Sequence, residues 1–245
     1  MNSYEMNSHD DCETAQRIAI MAAKARFGNF KRKGFYLSLS LIFVAIVAGC
    51  SSVERSRSLG NPNISANTIA LQVCSNCHGV QGISENPNFP NLAAQSQLYL
   101  VEQLKSFKSH NRSDPAGFEY MWGISSRLTD EQISGLAAYY SSQRPAPGKS
   151  RDPKLLKDGQ TIFEHGIAAN STPACSGCHG AKGEGLQQFP RLAGQHADYI
   201  VKQLMVFQRT DERPEGIMMK SIAHGLTLEN TKSVAAYLEA MPSTQ

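Results

Sequence analysis

Two short motifs contain the residues of this sequence whose types and spacing are best suited to chemistry. Each has two cysteines separated by two residues and followed directly by a histidine, at residues 74–78 (CSNCH) and residues 175–179 (CSGCH). This is the spacing of a covalently attached c-type haem, because two thiols must reach the two vinyl groups on one side of a porphyrin while the adjacent imidazole reaches the iron. The sequence therefore predicts two covalently bound haem c groups. The predicted attachment residues and iron ligands are Cys74, Cys77, His78, Cys175, Cys178 and His179.

A zinc site and a dithiol redox motif are the alternative interpretations of these cysteines. A structural zinc site usually takes its second pair of ligands from about 15 to 20 residues away, whereas the two motifs lie in different halves of the chain. A thioredoxin-like C-x-x-C would lie within alternating strand and helix patterns, which this sequence does not show. Haem attachment at both motifs is therefore favoured.

The second axial ligand of each iron is expected to be a residue that recurs at matching places in both halves. Met121 lies seven residues before Leu128, and Met219 lies seven residues before Leu226. Both methionines are predicted to lie in loops ahead of the last helix of their halves. A thioether is a soft ligand that suits ferrous iron and raises the reduction potential. Ordinary core packing is the alternative role, but the matching positions favour Met121 and Met219 as ligands, with Met218 as a rival to Met219.

Four other histidines have no counterpart in the opposite half, at positions 110, 165, 196 and 224. His224 is close to Met219 in sequence and is kept as an alternative ligand. His196 is predicted to lie at the surface or at a helix start. Because paired methionines would fill the remaining axial position of both irons, the pattern favours an electron carrier over a ligand binder or an enzyme.

Helical periodicity and capping residues surround both motifs. Helices are predicted to begin at Ser65, at Ser96, at the capping box of residues 129–132 (TDEQ), and at Asp152 with Pro153 in the first turn. Much of the first half is repeated in the second, as in FPNLAAQ and FPRLAGQ. Since no strand pattern competes with helix, the predicted fold is all-α, with two tandem domains that each wrap around one haem.

Composition shifts predict the boundaries of these domains. An amino-terminal extension and signal peptide occupy residues 1–49, and a flexible tether occupies residues 50–63. The first domain is predicted at residues 64–143 and the second at residues 154–245. Residues 144–153, rich in proline and glycine, are predicted to link them.

The amino-terminal segment indicates export and lipid attachment. A basic run precedes the mostly apolar residues 35–48, a pattern typical of a signal-peptide core and too short to span a bilayer as a helix. Residues 47–50 (VAGC) resemble the lipobox of bacterial lipoproteins, so Cys50 is predicted to carry the lipid. An ordinary cleaved signal, with Cys50 lost or unmodified, is the alternative. Translation is predicted to start at Met21, which would leave Cys12 outside the product.

The composition is that of a globular protein with no nucleic-acid signature. The 245 residues are 41% hydrophobic and 18% charged, and the formal net charge of +3 is small. From Cys50 onward 18 basic residues face 17 acidic ones. No nucleic-acid partner is predicted.

Residues 64–241 resemble the diheme class I cytochromes c of the cytochrome c-four family. The resemblance rests on the two C-x-x-C-H motifs, the segment NFPNLAAQ at residues 88–95, and a methionine ahead of LTDEQI at residues 128–133. The second half departs from this pattern at Gln188 and at residues 228–229 (LE), which are changes of surface type.

The resemblance implies that the carbonyl groups of Pro90 and Pro190 accept hydrogen bonds from Nδ1 of His78 and His179. Such a bond would fix each ring and strengthen its donation to iron.

The resemblance also implies that Gly159 and Phe163 form the helix-crossing pair of the second domain. The first domain has only Ala66 and Ala70 at comparable places.

These observations predict a periplasmic electron carrier anchored to a bacterial membrane through acylated Cys50. Its electron donor would be a quinol-oxidising complex or a dehydrogenase, and its acceptor a terminal oxidase or peroxidase. No catalytic residue and no small-molecule substrate are predicted. The alternatives are a dedicated electron-accepting subunit of a periplasmic dehydrogenase and, with less support, a haem enzyme.

Overall fold

The computed structural model describes residues 58–149 and 151–242, which belong to one compact unit. The predicted signal peptide, the lipobox and Cys50 lie outside the described residues. Among the described helices, none is both long and apolar enough to cross a membrane.

The described residues form ten α-helices and no β-strand, which confirms the all-α prediction. The only strand-like pairings in these ranges are two isolated bridges, Ile167 with Thr172 and Leu186 with Phe189. The helices of the first half are α1 (Ala66–Ile69), α2 (Ser75–His78), α3 (Gln97–Lys108), α4 (Trp122–Ser125) and α5 (Asp130–Ser141). Those of the second half are α6 (Pro153–His165), α7 (Ser176–His179), α8 (Ala197–Arg209), α9 (Ile217–His224) and α10 (Leu228–Ala240).

Local capping residues set the helix starts, as the sequence predicts. The Ser65 hydroxyl accepts the Thr68 N–H at 3.2 Å at the start of α1. The Ser96 hydroxyl caps α3, and Asp152 caps α6 with Pro153 in its first turn. At the start of α5, Thr129 and Gln132 form both bonds of a capping box. Each cap satisfies N–H groups that a helix start would otherwise leave unpaired.

The first domain is built from α1, α3 and α5, which pack on a core that includes Ile69, Leu128 and Ile133. The helices α1 and α5 cross closely, because a Cβ atom on Gly135 would meet Ala66 Cβ at 2.6 Å. The small residue at this crossing therefore lies on α5, and Ala66 faces it from α1.

The second domain repeats this arrangement with α6, α8 and α10. Gly159 on α6 lies against α10 so closely that a Cβ atom would meet the Ser233 carbonyl oxygen at 2.1 Å. Phe163 is fully buried in the same core. The crossing pair implied by the resemblance is thus in place, with the glycine on the opposite helix from that of the first domain.

The two domains differ in how the first helix leads into the C-x-x-C-H motif. In the first domain α1 continues through a π-helical turn, Ala70–Cys74, directly into α2. In the second domain α6 ends at His165, and a loop closed by hydrogen bonds between Ile167 and Thr172 precedes α7. The repeat therefore varies in a loop while the helices and the motif are kept.

Side-chain amides join the two domains through the backbone of the opposite domain. Gln195 Oε1 accepts the Asn91 N–H at 2.8 Å, and Gln195 Nε2 donates to the Asn91 carbonyl at 2.9 Å. Gln95 forms the same pair of bonds with Arg191, at 2.6 and 3.0 Å. Because Gln95 and Gln195 hold the same position in the repeated segment, the interface has approximate twofold symmetry.

Two buried arginines extend this symmetry. Gln103 Oε1 accepts from Arg112 Nη1 at 2.6 Å and from Arg213 Nη2 at 2.9 Å. Gln203 Oε1 accepts from Arg213 Nη1 at 2.7 Å and from Arg112 Nη2 at 3.2 Å. Each arginine therefore binds one glutamine of its own domain and one of the other.

Candidate haem sites

The first C-x-x-C-H motif is held by the helical segment that ends at His78. Cys74 closes the π-helical turn, and Cys77 and His78 lie in α2. His78 is buried, and its Nδ1 lies 2.9 Å from the Pro90 carbonyl oxygen. A carbonyl oxygen only accepts, so Nδ1 carries the proton and Nε2 is the nitrogen that can donate to a metal.

The second motif has the same geometry. Cys175 precedes α7, which contains Cys178 and His179. His179 is buried, and its Nδ1 lies 2.9 Å from the Pro190 carbonyl oxygen. The two hydrogen bonds implied by the family resemblance are both present.

A phenylalanine packs edge-on against each of these imidazoles. The ring centroids of His78 and Phe89 are 6.2 Å apart with planes at 70°, and those of His179 and Phe189 are 6.1 Å apart at 71°. Sequence reasoning identified these phenylalanines only as part of a repeated segment. The signal that could have assigned them a role was their place directly before the prolines that bind the histidines.

Burial sets the protonation state of these groups. Burial lowers the pKa of His78 and of His179 below the ordinary value of 6.5, and the hydrogen bonds to the proline carbonyls only partly oppose this shift. Both imidazoles are therefore neutral at pH 7 and keep a lone pair for a metal. Burial also raises the pKa of the Cys74 and Cys175 thiols to about 11.

The four motif cysteines are half-buried free thiols, with no disulfide among the described residues. Within residues 58–149 and 151–242, no three His, Cys, Asp or Glu side chains are grouped so that they could hold a metal ion. Two thiols beside a buried, singly protonated imidazole match the donor set of haem c, in which the cysteines bind the porphyrin and the histidine binds the iron.

The predicted methionines lie in helical turns, which corrects their assignment to loops. Met121 ends the π-helical turn Gly117–Met121, just before α4, and Met219 lies within α9. The loop prediction failed because neither short turn carries a strong capping signal. Both side chains are half-buried, whereas Met218 is 54% exposed. Burial therefore favours Met219 over its rival, and ligation by Met121 and Met219 stays a prediction.

The histidines considered as alternatives occupy other environments. His224 is exposed, and its Nδ1 lies 2.8 Å from the Lys220 carbonyl oxygen at the end of α9. His196 precedes α8, as predicted for a helix start, but it is only 1% exposed, so its surface placement is wrong. The reason is a contact across the domain interface, where His196 Nε2 lies 2.9 Å from the Ser84 carbonyl oxygen.

Comparison with known protein families identifies the family of this chain. The cytochrome c family model matches residues 66–143 and again residues 156–242. The chain belongs to the cytochrome c family. Each match contains one C-x-x-C-H motif, so this cytochrome carries two covalently bound haem c groups.

Individual relatives show which members of the family this chain resembles. Cytochrome c4 of Azotobacter vinelandii is 37% identical over 178 residues, which cover 69% of this chain and 84% of that protein. The crystal structure of reduced recombinant cytochrome c4 from Pseudomonas stutzeri superposes with a TM-score of 0.66 at 35% identity, covering 72% of this chain and 97% of that one. A thiosulfate dehydrogenase electron acceptor of Thiomonas intermedia is 31% identical over 69% of this chain and 78% of that protein. This cytochrome is thus a diheme electron-transfer protein similar to cytochrome c4.

Proposed function

We propose that this cytochrome is a membrane-tethered periplasmic electron carrier. It takes single electrons from a quinol-oxidising complex or a dehydrogenase and passes them to a terminal oxidase or peroxidase. Its cysteines at positions 74, 77, 175 and 178 attach the two haems. His78 with Met121 and His179 with Met219 supply the axial ligands.

The observation that carries this proposal is the pair of hydrogen bonds between the histidine rings and the carbonyl groups of Pro90 and Pro190, each 2.9 Å long. A ring whose Nδ1–H is bonded to a fixed backbone carbonyl keeps its orientation and is a stronger donor through Nε2. When bound, haem c supplies a one-electron couple. The rigid setting of each ligand favours a carrier, because the ligand set then stays the same in both oxidation states.

A half-buried methionine in each domain supports the same function. Met121 ends the helical turn just before α4, Met219 lies within α9, and both precede the last helix of their domain. A thioether held there would raise the reduction potential and leave no axial position open for a substrate.

Lipid attachment at Cys50 is proposed from the lipobox-like VAGC. Several acyl chains give stable anchoring, whereas one chain gives only marginal binding. The residues between Cys50 and Ser65 would then separate the first domain from the membrane.

A second function, the electron-accepting subunit of a periplasmic dehydrogenase, is favoured by one observation. Two relatives at 31% and 32% identity bear the name thiosulfate dehydrogenase electron acceptor. The same two haem sites serve either role, since only the docking partner differs. Copurification of this cytochrome with a dehydrogenase from native membranes would select this second function.

Intact mass measurement of the cytochrome purified from native membranes tests the main proposal. We expect a chain beginning at acylated Cys50, with the mass of two haem c groups that resist extraction by acidified organic solvent. A chain with fewer than two such groups contradicts the haem assignment. Two haems on a soluble, unacylated chain would contradict only the proposed membrane anchoring.

A further inference from the structure

Arg191 has two buried side-chain nitrogen atoms without a hydrogen-bond partner among the described residues. The residue is 6% exposed, and its Nε and Nη2 atoms are buried with no hydrogen-bond partner among the described residues. A buried charge is strongly unfavourable unless it is paired. These two donors therefore require an acceptor that the described residues do not provide.

The same two nitrogen atoms bind a carboxylate in Arg112, and Nε alone binds one in Arg213. Arg112 donates from Nε to Asp114 Oδ1 at 2.9 Å and from Nη2 to Asp114 Oδ2 at 3.2 Å. Arg213 donates from Nε to Glu215 Oε1 at 3.0 Å. An Nε and Nη2 pair matches the two oxygens of a carboxylate, so the missing partner of Arg191 has the chemistry of a carboxylate.

Arg191 is held in place beside the second haem site. Its neighbour Pro190 binds the ring of His179, and its own N–H and carbonyl are both hydrogen-bonded to Gln95. The backbone on both sides of the side chain is thus fixed relative to the haem-binding histidine. A haem c attached at Cys175 and Cys178 brings two propionate carboxylates into this domain.

Glu184 is the competing partner within the chain. It interacts favourably with Arg191, but no ion pair within 4.0 Å joins the two residues, and Glu184 Oε2 accepts the Lys182 N–H at 2.8 Å. Burial lowers the pKa of Arg191, and Glu184 opposes this shift only in part. For Arg112 burial acts in the same direction, but Tyr199 and Asp114 raise its pKa above the ordinary value. Glu184 therefore offsets only part of the effect of burial on the pKa of Arg191, whereas Tyr199 and Asp114 more than offset it for Arg112.

The first domain has no guanidinium at the equivalent position. Asn91 follows Pro90 there, and both polar atoms of its side chain are bonded to neutral groups. Its Oδ1 accepts the Ser84 N–H at 2.8 Å, and its Nδ2 donates to the Gly194 carbonyl at 2.8 Å. The two haem environments therefore differ in charge at this position.

We propose that the Arg191 guanidinium binds a propionate carboxylate of the haem attached at Cys175 and Cys178, and that this contact makes the two haems unequal. The inference rests on the proposed haem attachment. Paired with Arg191, the propionate stays ionised and its charge is neutralised. Without the guanidinium, the ionised propionate would favour the ferric state, which carries one more positive charge than the ferrous state, and the reduction potential would fall.

The test is redox titration of the purified diheme protein and its Arg191→Gln variant across a range of pH. In the native protein we expect the haem beside Arg191 to have a midpoint potential that changes little near neutral pH. In the variant, one of the two midpoint potentials should fall by up to about 59 mV, which corresponds to a tenfold change in a one-electron equilibrium constant. That potential should also decrease further as the pH rises and the unpaired propionate loses its proton. Arg191→Lys, which keeps the charge but loses the paired donors, should give an intermediate result.

Two matched variants separate this contact from other effects. Arg209→Gln removes an exposed positive charge from the same domain. Glu184→Gln removes the competing carboxylate. Neither variant should alter the pH dependence of either potential. Unchanged potentials in Arg191→Gln, or equal shifts of both haems, would overturn the proposal. So would a Glu184→Gln variant that reproduces the Arg191→Gln behaviour. Haem content is measured on the same samples. A protein with fewer than two haems contradicts the proposed function itself. Two haems with unchanged potentials contradict only the Arg191 contact.

Discussion

At the scale of single residues, the histidine of each C-x-x-C-H motif is fixed on two sides. His78 is bonded through Nδ1 to a backbone carbonyl and contacts the edge of Phe89, and His179 has the same two contacts. The carbonyl sets the tautomer and the phenylalanine restricts rotation of the ring. An imidazole constrained in this way presents Nε2 in one direction only, which is what an axial ligand requires.

Adjacent methionines at positions 218 and 219 allow a paired test of the second ligand. We expect Met219→Ala to remove the sulfur-to-iron charge-transfer absorption of one ferric haem and to lower its potential, because the soft donor is lost. Met218→Ala should leave both properties unchanged, since the Met218 side chain is 54% exposed. Near-infrared absorption and redox titration measure the two effects. Loss of the band in Met218→Ala, with the band kept in Met219→Ala, would reverse the assignment.

At the scale of elements, the first and last helices of each domain cross at a glycine. In the second domain the glycine is Gly159 on the first helix, and in the first domain it is Gly135 on the last helix. Only Gly159 was anticipated, because the family resemblance points to the first helix of each domain. A close crossing needs one small residue at the contact, and either helix can provide it.

We expect Gly159→Ala to destabilise the second domain by about 1 to 3 kcal/mol, the usual effect of overpacking. The added Cβ atom would meet the Ser233 carbonyl oxygen at 2.1 Å, and the backbone of α10 cannot move away as a flexible side chain would. Urea unfolding followed by circular dichroism measures the change.

Gln160→Ala is the control for this substitution. Gln160 is exposed on the same helix, where its side chain donates to Glu164 Oε1 at 2.9 Å. Its replacement should change the free energy of unfolding by less than about 0.5 kcal/mol. Equal stability of Gly159→Ala and Gln160→Ala would refute the close crossing.

At the scale of the whole molecule, the two domains meet through hydrogen bonds between buried polar groups. Arg112 and Asp114 are 3% and 0% exposed, and Gln203 Nε2 from the other domain donates to Asp114 Oδ2 at 3.1 Å. Such contacts favour one orientation of the domains, because any other arrangement would leave buried charges and amides unpaired. The same contacts hold the two C-x-x-C-H motifs in one relative arrangement.

The Asp114→Asn variant tests this interface. We expect it to lower the free energy of unfolding at neutral pH by about 3 to 5 kcal/mol, because Arg112 would keep a buried charge without its carboxylate partner. Burial alone would raise the pKa of Asp114, but Arg112, Gln203 and Arg213 together lower it below the ordinary value of 3.8. The native contribution is therefore complete above pH 3.8 and is lost as the pH falls through the lower pKa of the folded state.

The expected result is a stability difference between native protein and variant that is large at neutral pH and shrinks in acid. Urea unfolding at several pH values measures it, with Glu85→Gln as the control, because Glu85 is an exposed acid of the same domain. A variant with native stability at neutral pH, or a difference that does not depend on pH, would contradict the role of this ion pair.

The sequence by itself determined the haem motifs, the repeat, the helix starts and the all-α class. These features depend on residues that are close together along the chain: two cysteines and a histidine within five positions, or a cap and the N–H groups three residues later. The histidine and proline contacts were anticipated only through a family resemblance.

Only the tertiary structure decided which distant side chains meet. It placed Gly135 against Ala66, buried His196 against Ser84, and left Arg191 with two unpaired donors between the domains. In the sequence, Arg191 is simply one residue of a repeated segment. Packing removes water from its Nε and Nη2 atoms and brings no acceptor within hydrogen-bond distance of them. The solvation and pairing of a buried group depend on all the elements around it, so the sequence alone does not show this.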